Sequence, residues 1–190
     1  FEKVTGRAKY TDDLCGRDAY VAKVMHSTIA HGYVKSIDTS EAEKIPGVIK
    51  IVTCFDVPGY YYPTAGHPWS TEEAHQDVAD RLLLVKHVRY YGDDIAAVVA
   101  ENEVAATQAV RALKAEYEEL PFVLDVQKAM EDGAPQLHEK YPHNILAHTS
   151  IRNGDYEAAI GEPGLTKVEG WYETPTVQHC HIENPVCYAY

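Results

Sequence analysis

Residues 95–113 read Ile-Ala-Ala-Val-Val-Ala-Glu-Asn-Glu-Val-Ala-Ala-Thr-Gln-Ala-Val-Arg-Ala-Leu, and the change of period inside this stretch decides the fold class. Ile95 to Ala100 is almost continuously apolar, as expected of a strand covered on both faces, so it is expected to be central. Asn102 then offers a side-chain acceptor for the free N–H groups of a helix start. Val104, Ala105, Gln108, Ala109, Ala112 and Leu113 recur at helical spacing, which predicts a helix from Asn102 to about Tyr117 with its apolar stripe on the sheet.

Such a pair needs further strands beside it, and the flanking sequence supplies candidates. Tyr20 to Met25 is a short β-prone run, and Tyr33 to Ile37 alternates after the His31-Gly32 turn. Thr39 and Ser40 precede Glu41 to Lys44, with Pro46-Gly47 following, which predicts a short capped helix. Val48 to Thr53 returns to strand. Asp56 to Tyr62 is turn chemistry with a tyrosine cluster, and Pro63 to Asp80 is a long polar connection carrying Gly66, Pro68 and Trp69. Leu82 to Val88 is a further apolar run.

Past Leu120-Pro121, a second short helix is expected near Val126 to Met130. Ala134 to Asn144 is non-periodic and reads as a linker. Ile145 to Ile151, Leu165 to Thr174 and Val177 to Tyr190 are strand candidates, with a short helix over Asp155 to Ile160. The order predicts an α+β fold with helices segregated to one sheet face. It also predicts a first domain over 1–133, a linker over 134–144 and the start of a second domain over 145–190. Phe1 and the apolar run reaching Tyr190 lead to the expectation of a piece of something longer, whose sticky unpaired edge would fold against the first domain, pair with another copy or stay disordered, with Cys180 and Cys187 accessible where it stays open.

Lys and Arg number 17 against 29 Asp and Glu, a formal net charge of -12 in 190 residues, which repels phosphate backbones and anionic lipid. Nucleic acid and membrane partners are disfavoured, no apolar run approaches the ~20 residues of a membrane span, and the cytoplasm is the expected compartment. Cys15, Cys54, Cys180 and Cys187 are scattered without a Cys-x-x-Cys pair, so neither zinc nor an iron–sulfur cluster is expected, and the thiols are expected to be buried and reduced.

Among ten histidines, the densest set of possible ligands is His179-Cys180-His181 followed by Glu183. In a strand, His179, His181 and Glu183 share one face and Cys180 the other. With no second pair to complete four ligands, the expectation is a structural cluster in which Glu183 orients the imidazoles. Asp12-Asp13 and Asp93-Asp94 are expected to face water in turns and cap N–H groups, and Glu116, Glu118 and Glu119 to form a solvated face. No phosphate loop, nucleophile elbow or dinucleotide fingerprint is written here. The residues thus assign no catalytic, no cofactor-binding and no metal-ligating position.

The stretch from Val4 to Leu14, V-T-G-R-A-K-Y-T-D-D-L, resembles the entry segment of the large subunits of the molybdenum hydroxylases. Further matches follow in register: His31 to Asp38, Thr39 to Ala42 leading to Pro46-Gly47-Val48, Asp56-Val57-Pro58-Gly59, Val88 to Ala100, and Tyr117 to Pro121. The span 4–125 looks like that family's α/β-hammerhead domain. Gly170 to Pro175 and His179 to Glu183 resemble the opening of its molybdopterin-binding domain, although Asn184-Pro185 departs from the family pattern after the glutamate. That departure and Gly66-His67-Pro68-Trp69 resemble the bacterial xanthine dehydrogenase branch.

The resemblance implies a molybdenum–molybdopterin cofactor in the intact subunit, with the 2Fe-2S clusters and FAD on partner subunits. It also implies a homodimer of the complex, a purine substrate and an inactive scaffold role for these residues. Alternatives are an aldehyde or other N-heterocycle hydroxylase, or a free-standing assembly module.

Overall fold

The computed structural model describes residues 1–16, 18–63, 78–146, 148, 150–182 and 186–190. In chain order the elements are helix α1 (Thr11–Leu14), strands β1 (Val21–His26), β2 (Gly32–Asp38), β3 (Val48–Thr53), β4 (His87–Val88) and β5 (Asp94–Ala100), helix α2 (Glu103–Ala112), strand β6 (Lys114–Glu119), and helices α3 (Val126–Ala129) and α4 (Tyr156–Gly161). The chain divides into two compact units, one of Asp18–His148 and one of Phe1–Arg17 with Thr149–Tyr190.

The Asp18–His148 unit holds two antiparallel sheets where a single one was expected, ordered β1-β5-β3 and β4-β2-β6. The apolar run predicted to be central is central: β5 has a partner on each side, and Ile95, Ala96, Val98 and Ala100 are fully buried. Ile95 and Val98 contribute about 1.5–3 kcal/mol each by leaving water. Ile29, Val34, Cys54, Leu84, Val85, Val88 and Ile95 form one buried cluster that unites residues of both sheets.

Helix α2 begins as predicted, with the Asn102 side chain accepting from the Ala105 amide at 2.9 Å. Ala105, Ala106 and Ala109 are buried, and the helix lies against β1 and β5. Two details differ. Val104, placed on the buried stripe from its spacing, is 64% exposed. The helix also stops at Ala112, well short of Tyr117, because Lys114 to Glu119 has period two: Ala115 and Tyr117 turn inward, the charged residues turn out, and β2 supplies a ladder partner.

Leu82 to Val88 is also corrected, since only His87 and Val88 pair as strand. Leu84 and Val85 are buried without a ladder, the Val85 amide donating instead to the Asp94 carbonyl at 2.8 Å.

Ala134 to Asn144 carries one 3-10 turn, Pro142–Asn144, yet it is firmly tied. Asn144, at φ 56°, accepts from the Leu137 amide at 2.8 Å and donates to the carbonyls of Ala129 and Pro135 at 2.8 and 3.0 Å. One side chain so holds the end of α3 and the segment after it.

In the other unit, helix α4 is capped by Asp155, whose side chain accepts from the Ala158 amide at 3.0 Å. The strands expected over Leu165–Thr174 and Val177–Tyr190, and at Ile145–Ile151 across the unit boundary, are absent among the described residues. Val168, Trp171, Tyr172, Val177 and Ile182 are exposed. A β-prone run becomes a strand only beside a neighbour that takes its N–H and C=O groups, and none of the described residues does so. Residues 64–77 of the long polar connection, with Gly66 to Trp69, and residues 183–185 lie outside the described residues.

Candidate functional site

The carboxylate pairs singled out in the sequence do not form shared sites. Asp13 accepts from the Tyr10 amide at 3.0 Å and caps α1. Asp94 meets His26 Nδ1 at 2.9 Å on an exposed face. Asp93 departs from the expectation of a solvated turn: it is buried, accepting from Arg81 Nη1 at 3.1 Å and from the Arg89 amide at 2.8 Å. Glu116 accepts from Ser36 at 2.9 Å and Glu118 pairs with Lys35 at 3.1 Å, both on a solvated face as read.

His179 and His181 do not share a strand face; their exposed rings stack at 5.4 Å and 9°, with Cys180 between them at φ 52°. Among the described residues no group of three or more His, Cys, Asp or Glu is arranged to hold a metal ion. The expectation of buried thiols holds for Cys54 alone, since Cys15 is half-buried and Cys180 and Cys187 are exposed. Burial pushes the Cys54 thiol up to about 11, outweighing nearby Lys86, so it remains protonated and unreactive at neutral pH.

The polar cluster that the fold does assemble was not read from the sequence. His31 Nδ1 lies 2.6 Å from the Pro121 carbonyl, and its Nε2 lies 3.0 Å from His87 Nε2. A carbonyl only accepts, so His31 Nδ1 bears a proton and the two facing nitrogens share one more. The ring centroids are 5.2 Å apart and the ring planes 25° from parallel, a stacked arrangement. Tyr33 stacks on His87 at 4.4 Å. His31 and His87 are 56 positions apart in sequence, and the pairing of β2 with both β4 and β6 brings the cluster together.

His87 is held down from the usual 6.5 to about 4, first by burial and then by Arg89, His31 and His138. His138 is also lowered, by burial and then by Arg89. A histidine lowered on folding contributes stability that is whole above its unfolded value and is lost as pH falls through the folded one. We expect the chain to lose roughly 1–2 kcal/mol between pH 6.5 and 4 from His87, after discounting for partial exposure. Urea midpoints that fall equally in wild type and His87→Gln over this range would contradict the assignment.

Arg89 is placed by its Nε, which donates to the Leu137 carbonyl at 2.6 Å, and by its amide on Asp93. Beside it opens a cleft of about 270 Å³ lined by Tyr61, His87, Arg89, His138, Lys140 and Tyr141, with Asp80 and Glu139 also in the wall.

With this geometry in hand, comparison with known proteins settles the family. Residues 5–121 match the model described as aldehyde oxidase and xanthine dehydrogenase, a/b hammerhead domain. The chain belongs to that family. It is 40% identical over 188 residues to the xanthine dehydrogenase molybdenum-binding subunit of Escherichia coli O157:H7, covering 99% of this chain and 25% of that protein. It is 32% identical over 190 residues to the xanthine dehydrogenase of Emericella nidulans, covering 99% of this chain and 12% of that protein. Among solved structures, the aldehyde oxidoreductase from Desulfovibrio gigas matches with TM-score 0.63 and 33% identity over 74% of this chain and 16% of that one. The hammerhead chain therefore spans a quarter or less of the length of these curated relatives.

The fold class and family read from the in-register motifs are those found. The described residues of the hammerhead do not fit a metal centre: the required donor groups do not converge. Tyr117 Oη, the buried side-chain polar atom without a partner among the described residues, belongs to a residue packed against the apolar cluster. Among the described residues no helix is long and apolar enough to cross a membrane.

Proposed function

We propose that this chain is the hammerhead-bearing part of the molybdenum-binding subunit of a xanthine-dehydrogenase-type hydroxylase, which oxidises a purine such as xanthine or hypoxanthine with water as the oxygen source. The observation that carries the reading is 40% identity, sustained over 99% of the chain, to a xanthine dehydrogenase molybdenum-binding subunit. In this reading residues 1–133 form the hammerhead, 134–144 a connection and 145–190 the start of the molybdopterin-binding domain. They serve as scaffold and contact surface, while the molybdenum–pterin group supplies the redox chemistry from elsewhere in the subunit. The iron–sulfur clusters and FAD reside on partner subunits, the complex is a cytoplasmic homodimer, and no residue of this chain acts on substrate.

A second reading, an aldehyde-oxidising subunit, is favoured by the 33% identity to the aldehyde oxidoreductase. The assembled complex, assayed with an artificial electron acceptor, is expected to turn over xanthine and hypoxanthine in preference to a simple aldehyde or nicotinate. Activity confined to the aldehyde would replace the first reading with the second.

A further inference from the structure

The cleft beside Arg89 has a use that the scaffold role leaves unexplained. Arg89 is anchored through its Nε and its amide, and the carboxylate nearest its backbone, Asp93, is already engaged by Arg81. Among the described residues no carboxylate pairs with the Arg89 guanidinium, so its two terminal nitrogens keep free donors. Burial first and Arg89 next lower both His87 and His138, which places the guanidinium near both imidazoles. Asp80 and Glu139 stand in the wall with Lys140, but among the described residues neither carboxylate bonds the Arg89 fork.

The walls are flat and aromatic. Tyr61, Tyr141, His87 and His138 line the cleft, and His138 meets Tyr141 edge to face at 5.9 Å. A second hollow of about 250 Å³, lined in part by Val57, Pro58 and Leu82, shares Tyr61, His87 and Arg89 with the first, so apolar surface continues past the guanidinium. A planar guanidinium with a free fork matches a carboxylate in two parallel hydrogen bonds, and an aromatic lining favours a flat ring over a compact tetrahedral ion.

We propose that this cleft binds a small planar organic anion, an aromatic or heteroaromatic carboxylate, with the carboxylate on Arg89 and the ring between the tyrosine and histidine walls. The chain as a whole carries a net charge of -12, so capture of an anion depends on this local cation and not on the overall field. The proposal uses residues of this chain alone and stands or falls separately from the purine reading.

The test is a titration of the 190-residue chain with benzoate, followed through the Cε1–H resonances of its histidines. Benzoate is expected to shift His87 and His138 saturably, to leave His26 unmoved, and to raise the pH at which His138 titrates by neutralising the Arg89 field. Inorganic phosphate is expected to bind at least about tenfold more weakly. Arg89→Gln should abolish the effect; should that variant fail to fold, Tyr61→Ala and Lys140→Gln carry the test, with Tyr61→Ala weakening benzoate severalfold. An unsaturable response, or benzoate and phosphate binding alike, would overturn the proposal.

Discussion

Gly32→Ala should cost on the order of 3–5 kcal/mol, enough to remove much of the 5–15 kcal/mol by which a domain of this kind is stable. Gly32 opens β2 between β4 and β6, paired with Val88 on one side and Glu119 on the other. A Cβ there runs into the backbone carbonyl oxygen of Glu118 and comes within 2.8 Å of Ile29 Cδ1, and its φ of 154° is one that L side chains rarely adopt. The obstacle is backbone held in a ladder, so neither partner can step aside without breaking the β2–β6 pairing. Because His31 precedes it directly, the same displacement would open the His31 contacts to Pro121 and His87. Gly59→Ala, where an added Cβ meets nothing within 4 Å, is the control and should change stability by no more than about 0.5 kcal/mol. Urea unfolding of the two variants checks both statements, and a cost below about 1 kcal/mol at Gly32 would contradict the packing described.

Asp93→Ala should destabilise the Asp18–His148 unit by about 2–4 kcal/mol. Its carboxylate is 4% exposed and satisfies Arg81 and the Arg89 amide together. Removing it leaves a guanidinium and a backbone N–H without their acceptor, which costs more than the pair itself contributes. Arg81 is 35% exposed and rests 4.7 Å above the Tyr90 ring, so water and the ring recover part of the loss and hold the figure below the extreme. The Arg81→Ala, Asp93→Ala double variant should be less destabilised than the sum of the singles. Additivity within about 0.3 kcal/mol would deny the coupling.

Much of the architecture was legible because hydrophobic period reports which faces of a segment are covered. The run Ile95 to Ala100 could only be a strand shielded on both faces, and Asn102 before Glu103 could only be a cap. Where Lys114 to Tyr117 was read as a continuation of α2, residues at helical spacing were followed past Leu113, although Ala115 and Tyr117 alternate with charge at period two. Short amphipathic segments satisfy both periods, and the strand β2 alongside decides between them. The tail erred in the opposite direction. Its β-prone runs carry the composition of strands, but ladder hydrogen bonds belong to two segments at once, and composition describes only one.

The candidate site was less legible still. His31, His87, Arg89 and His138 carry no spacing signal, since they come from three segments far apart in the chain that only the fold brings together. The histidines that drew notice, His179 and His181, were conspicuous because they are close neighbours in the chain. Asp93 was taken for a surface turn residue because Asp-Asp after Gly is turn chemistry, and its burial follows from Arg81 arriving from a different segment.

The sequence by itself determined the α+β class, the central strand with its capped helix, and the short helices near Val126 and Asp155, all features set within a few residues by local sterics, capping and periodicity, while the family followed from the resemblance of motifs in register over residues 4–125. The tertiary structure alone decided that there are two sheets and that β6 replaces the end of the helix. It alone set Gly32 against a carbonyl and, among the described residues, left the Arg89 fork without a bonded carboxylate in a cleft lined by tyrosines and histidines. These depend on which distant segments touch, and contacts between segments are fixed by the simultaneous burial of many faces, a condition that no single stretch of sequence contains.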